Sequence, residues 1–107
     1  MVVNMSTPNP LEFAKALADN TRQRIMRCCC CQWLSVGELV EQIGLSQPTV
    51  SHHLGVLREA GLVKTRPEGK QTFYTLNQDQ VVMCCGQLMT VFAPEAKATA
   101  TLSQALS

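Results

Sequence analysis

The sequence predicts a mainly α domain that carries one β-hairpin, with a helix-turn-helix placed before the hairpin. Three observations lead there. Apolar residues recur three and four apart through most of the 107 residues, the period switches to two between Leu62 and Leu76, and two helical stretches are separated by only Gly44-Leu45-Ser46. The length allows a single domain, placed at 9–94, between a disordered lead-in over 1–8 and a flexible tail over 95–107.

Each element has its own signal. Asn9 and Pro10 supply an N-cap and a first helical residue, and Leu11, Ala14, Leu17 and Ala18 follow at helical spacing. Asp19 and Asn20 break that helix and cap the next, expected from about Thr21 to Cys31, with Ile25 and Cys28 or Cys29 inward and Arg22, Arg24 and Arg27 mostly outward. Ser35-Val36-Gly37-Glu38 has the form of a capping box, in which Ser and Glu satisfy each other's free backbone N–H groups, and Leu39, Val40 and Ile43 carry an apolar face to Gly44. Ser46 caps a fourth helix with Pro48 in its first turn, Val50, Leu54 and Leu57 inward, and Gly61 as its stop. The hairpin pairs Leu62–Arg66 with Gln71–Leu76 across a polar tip, Pro67-Glu68-Gly69-Lys70. Asn77 caps a last helix over about Gln78 to Phe92 that is apolar almost all round and therefore needs partners on every side; Pro94 ends it.

Composition removes several function classes. Nine Lys and Arg against eight Asp and Glu leave a net charge of +1, so any attraction to nucleic acid has to be local. It is local in this chain: from Arg22 to Lys70 seven basic residues face four acidic ones, a charge of +3. No apolar run approaches the roughly 18 residues of a membrane span and no export signal opens the chain, so a soluble cytoplasmic protein is expected. The six cysteines fall as one run, Cys28–Cys31, and one pair, Cys84-Cys85. Disulfide frameworks space their cysteines apart in loops, so this crowding points to reduced thiols that pack as small hydrophobes or bind something soft. An activated-cysteine enzyme lacks an acid/base partner other than His52 and His53, and no catalytic residues are assigned.

Helix, helix, helix-turn-helix, hairpin and helix is the order of a winged helix, whose second motif helix enters the DNA major groove while the hairpin touches the flanking backbone. Here that helix begins at Ser46, and Gln47, Thr49, Ser51, His52 and His53 are polar side chains able to reach base edges or phosphates. Lys64, Arg66, Lys70 and Gln71 sit on or beside the hairpin. The two histidines point about 100° apart on a helix and so do not form a metal pair.

Two stretches, Leu17-Ala18-Asp19-Asn20-Thr21-Arg22 and LSVGELVEQIGLSQPTVSHHLGVLREAGLVKTRPEGKQTFYTL from Leu34 to Leu76, resemble the ArsR/SmtB family of winged-helix metalloregulators. The resemblance covers about residues 11–93 and implies a cytoplasmic homodimer, joined through its first and last helices. Such a dimer represses an operon on double-stranded DNA until a small inorganic inducer lowers its DNA affinity, and the resemblance implies that Gln47, Thr49, Ser51 and His52 contact bases or phosphates with Arg58, Arg66 and Lys70 supporting them.

None of the family's sensing positions carries its usual ligand in this chain. The C-x-C pair of its thiophilic-metal sensors corresponds to Ser35 and Gly37. The last-helix ligands of its zinc sensors correspond to Gln78, Gln80, Val91 and Pro94, and the two cysteines of its sulfide- and redox-responsive members to Arg27 and Ala93. The thiols that remain make Cys28, Cys30, Cys31, Cys84 and Cys85 the candidate ligands. On a continuous second helix Cys28 and Cys31 share a face, and two thiolates there plus one from the last helix suit three-coordinate As(III) or antimonite. Cd(II), Pb(II) or a persulfide signal are the alternatives, and the ion is expected to tie the second helix to the last. No cofactor is needed for folding.

Overall fold

The computed structural model describes residues 9–106, so the expected lead-in over 1–8 lies outside the described residues. Its elements run α1 (Pro10–Leu17), α2 (Asn20–Cys28), β1 (Leu34–Ser35), α3 (Val36–Ile43), α4 (Gln47–Glu59), β2 (Val63–Glu68), β3 (Gln71–Leu76), α5 (Gln78–Phe92) and α6 (Lys97–Leu106).

The caps are made as their residue types dictate. Asn9, Asp19, Ser46 and Asn77 each accept a hydrogen bond from the backbone N–H three residues on, and Ser35 and Glu38 close the capping box from both sides. Each such cap is worth about 1 kcal/mol. Gly44 ends α3 at φ 80°, a left-handed conformation that lets the chain turn into α4 within three residues.

The core is aliphatic, as one Trp, one Tyr and three Phe require. Ile25 of α2, Leu39 of α3, and Val50, Leu54 and Leu57 of α4 are buried together with Leu62 and two thiols, Cys29 and Cys84. No described helix is long and apolar enough to cross a membrane.

Four features depart from the sequence expectation. Helix α2 stops at Cys28 rather than Cys31, because β3 claims the next carbonyl. The backbone N–H of Leu76 (2.8 Å) and the hydroxyl of Thr75 (3.1 Å) both donate to Cys29 O. Leu34 and Ser35 form a short third strand, pairing antiparallel with Tyr74 and Phe73, so the sheet order is β1-β3-β2. A two-residue strand carries no period for a sequence reading to detect. The hairpin tip is two residues rather than four, since Pro67 pairs with Thr72 and Glu68 with Gln71, and Gly69 turns at φ 64°. Proline is tolerated there because β2 is an edge strand. Finally, α6 stands where a flexible tail was expected. Its alanines have high helix propensity, and its Thr99 is buried.

Candidate nucleic-acid interface and thiol cluster

Helix α4 separates its residues by face. Val50, Leu54 and Leu57 are buried, while Ser46, Gln47, Thr49, Ser51 and His52 are exposed near its N-terminal end. Ser46 Oγ donates to Thr49 Oγ1 at 2.9 Å, which orders the first turn. Arg58 is exposed farther along the helix, and Lys64 and Lys70 are exposed on the hairpin.

Three of the basic or imidazole groups have structural partners. Arg22 donates from Nε to Ala16 O (2.8 Å) and from Nη2 to Lys15 O (3.1 Å), which satisfies carbonyls at the end of α1. Its Nη1 meets His53 Nδ1 at 3.2 Å. A guanidinium can only donate, so Nδ1 is the acceptor and the Nε2 nitrogen carries the imidazole proton. His53 is half buried, unlike the exposed residues before it, and it joins α4 to the α1–α2 corner. Arg24 donates to Ile43 O at 2.9 Å and so closes the end of α3. The local positive charge is therefore partly scaffold. Beside the clasp, Asp19 has its carboxyl held below its ordinary range, first by the hydrogen bond from the Arg22 backbone N–H and then by its neighbours His53 and Arg22.

Arg66 is also engaged. Its guanidinium lies 4.5 Å from the centre of the Trp33 ring and 5.9 Å from that of Phe73, and its Nε is 3.2 Å from a Glu68 carboxylate oxygen. The cation–π contact fastens the edge strand β2 to the segment that follows the cysteine run. Nothing local in the sequence marks Trp33 for this role, since Arg66 lies 33 positions on.

The six thiols are all free and occupy distinct environments. Cys29 and Cys84 are fully buried in the core. Burial pushes the Cys29 thiol up to about 11 and raises that of Cys84. Cys28 and Cys85 are half buried. Cys30 and Cys31 sit in the loop after α2 with their Sγ atoms 2.8 Å apart, and the contact with Cys31 raises the Cys30 thiol. Because α2 ends at Cys28, Cys28 and Cys31 do not share a helical face. Among the described residues, no group of three or more His, Cys, Asp and Glu side chains is placed to hold a metal ion. The expected three-thiolate site is thus not assembled within one chain.

A cleft of about 310 Å³ opens beside the pair, lined by Cys30, Cys31, Trp33, Lys64, Gln78 and Asp79 among others. Two of its lining side chains are hydrogen-bonded to backbone carbonyls, Gln78 Nε2 donating to Cys30 O at 2.6 Å and Gln32 Nε2 to Cys28 O at 3.0 Å.

A profile described as "Bacterial regulatory protein, arsR family" matches residues 19–65, the span from the cap of α2 into β2. A biofilm growth-associated repressor of Xylella fastidiosa is 49% identical over 63 residues, covering 59% of this chain and 55% of its own. An HTH-type transcriptional regulator of Methanocaldococcus jannaschii is 38% identical over 71 residues, covering 65% of this chain and 80% of its own. The crystal structure of the transcriptional repressor BigR from Xylella fastidiosa superposes with a TM-score of 0.62 at 40% identity, covering 78% of this chain and 85% of that one. The chain spans about half the length of the first curated relatives it matches. These relatives are regulators of transcription and not enzymes, and with the winged arrangement around α4 they show that the chain belongs to the arsR family of bacterial regulatory proteins.

Proposed function

We propose that the protein is a DNA-binding transcriptional repressor that acts as a homodimer in the cytoplasm and is released from its operator by a thiophilic inducer. The observation that carries the DNA reading is the division of α4. Its apolar residues are used by the core, while Gln47, Thr49, Ser51 and His52 are left in solvent at the end that a winged helix presents to the major groove. Arg58, Lys64 and Lys70 supply phosphate contacts beside it. The second copy is the natural cover for apolar surface that one chain leaves open: Leu11 of α1 is 64% exposed, and Val91 and Phe92 of α5 are 68% and 80% exposed.

For the inducer, proton balance favours trivalent arsenic over Cd(II) or Pb(II). A divalent ion must strip a proton from every thiol it takes, which a raised thiol pKa opposes. Arsenite brings its own hydroxyls, and these leave as water with the thiol protons. The close approach of Cys30 and Cys31 also suits a second reading, in which oxidation of the pair is the signal.

The test is a salt titration of binding to a duplex enriched from a random pool, compared with unselected DNA. Specific binding at least about 1,000-fold tighter is expected, with Gln47→Ala/Ser51→Ala losing about 1–3 kcal/mol per base contact. Equal affinity for both duplexes would refute the repressor reading. Under strict reductant, arsenite still releases the DNA if the ion is the signal and has no effect if oxidation is.

A further inference from the structure

We infer that His53 is a positioning residue for DNA recognition. Held by Arg22, it fixes the tilt of α4 relative to α1 and so sets which separation of two DNA half-sites the homodimer accepts. The inference rests on the repressor reading and adds to it a side chain that acts without touching DNA.

Three observations carry it. Arg22 uses every edge of its guanidinium, with Nε donating to Ala16 O at 2.8 Å, Nη2 to Lys15 O at 3.1 Å and Nη1 to His53 Nδ1 at 3.2 Å. The fork is planar, so three partners engaged at once take fixed places relative to one another. Those partners lie on two elements, the last turn of α1 and the middle of α4, while Asp19 Oδ1 accepts the Arg22 backbone N–H at 2.9 Å at the start of α2. His53 itself stands at the border of two faces, since Ser51 and His52 before it are exposed and Leu54 after it is buried. Because Nδ1 accepts, the ring is neutral in this contact, and a neutral imidazole displaces no counterion from DNA.

The geometry gives this contact leverage. Helix α4 has 13 residues and is therefore about 20 Å long, so a tilt of about 10° moves one end by about 3.4 Å relative to the other, the rise of one base pair. On the far side of the clasp, α1 exposes Leu11, part of the surface proposed for the second copy. One guanidinium thus connects the dimer surface to the helix that reads DNA. A homodimer presents two such helices to half-sites about one helical turn apart, and the separation it accepts is as narrow as the tilt of each α4 is fixed. Without the His53 acceptor α4 is still packed through Val50, Leu54 and Leu57, but non-directional apolar contact resists a small tilt less than a directional hydrogen bond does.

The full-length protein is tested on the duplex enriched from a random pool and on the same duplex with one base pair inserted between its half-sites, which turns one half-site by roughly 35°. His53 is half buried, so replacing it leaves the buried stripe of α4 intact. The insertion should weaken binding by the parent about tenfold or more and by His53→Ala less than about threefold. His53→Asn, whose Oδ1 puts an acceptor where Nδ1 stood, should regain the parent's discrimination. The slope of affinity against salt should be the same in all three, whereas loss of a phosphate contact would lower it by about 0.9 per chain. Undiminished discrimination in His53→Ala, no recovery in His53→Asn, or a lowered slope in both would overturn the positioning role. The clasp is read without DNA from the His53 Nδ1 NMR signal of the free protein, which should carry the shift of a hydrogen-bond acceptor in the parent and lose it in Arg22→Met. Equal signals would show that no clasp is made. If the parent binds enriched and random duplexes alike, the repressor reading fails and the positioning role falls with it, while the Nδ1 signal still decides the clasp.

Discussion

The two cysteine clusters look alike in the sequence and are unlike in the fold. Cys84 and Cys85 sit on a continuous helix, α5, where the 3.6-residue period sends one thiol into the core and leaves its neighbour half buried. Cys28–Cys31 straddle the end of α2, so the run passes from a half-buried helical residue through a core residue to a pair in a solvated loop. A helix spreads adjacent side chains about 100° apart, whereas a loop can bring them together. Only the second cluster therefore presents two thiols to one ligand. The first does what free cysteine commonly does, which is to fill the core as a small hydrophobe.

The largest contrast should appear in thiol labelling. With an aromatic disulfide reagent under native conditions, Cys30 and Cys31 are expected to react at once. Cys29 and Cys84 should react only through opening of the fold. If opening costs about 3 kcal/mol, the buried thiols lag on the order of 100-fold. Peptide mapping of the labelled protein checks the order, and equal rates would dissolve the distinction between the clusters.

Stability should divide the same way. Cys84→Ser places a hydroxyl in a fully buried position and should cost about 1–3 kcal/mol, a fall in Tm of several degrees for a domain of this size. Cys31→Ser, at an exposed position, should stay within about 0.5 kcal/mol of the parent. Thermal unfolding in reductant measures both, and a costly Cys31→Ser would mean that the loop pair is structural.

A third contrast concerns pH. Cys29 has its thiol raised by burial to about 11 against an ordinary 9.0, so the folded state keeps a proton that the unfolded chain gives up. Its contribution is complete below pH 9 and is lost as pH rises toward 11. Denaturant midpoints for the parent should therefore fall more steeply across that window than those of Cys29→Ala. Parallel profiles would place the alkaline loss elsewhere.

The sequence by itself determined the elements whose signals are local. Caps at Asn9, Asp19, Ser35, Ser46 and Asn77, the three-residue turn at Gly44, and the inward stripe Val50, Leu54 and Leu57 are all visible in short windows. Each depends on contacts within about four residues, and together they place the polar start of α4 in solvent. The tertiary structure alone decided what depends on partners distant in the chain. It ended α2 at Cys28 by giving the Cys29 carbonyl to Thr75 and Leu76. It turned Arg22 and Arg24 from basic surface into clasps on helix ends, drew His53 against Arg22, and set Trp33 over Arg66. It also split four consecutive cysteines between core and loop. Backbone hydrogen bonding is obligatory for each buried carbonyl, and which group satisfies it is settled by packing between elements, which no local pattern of residues encodes.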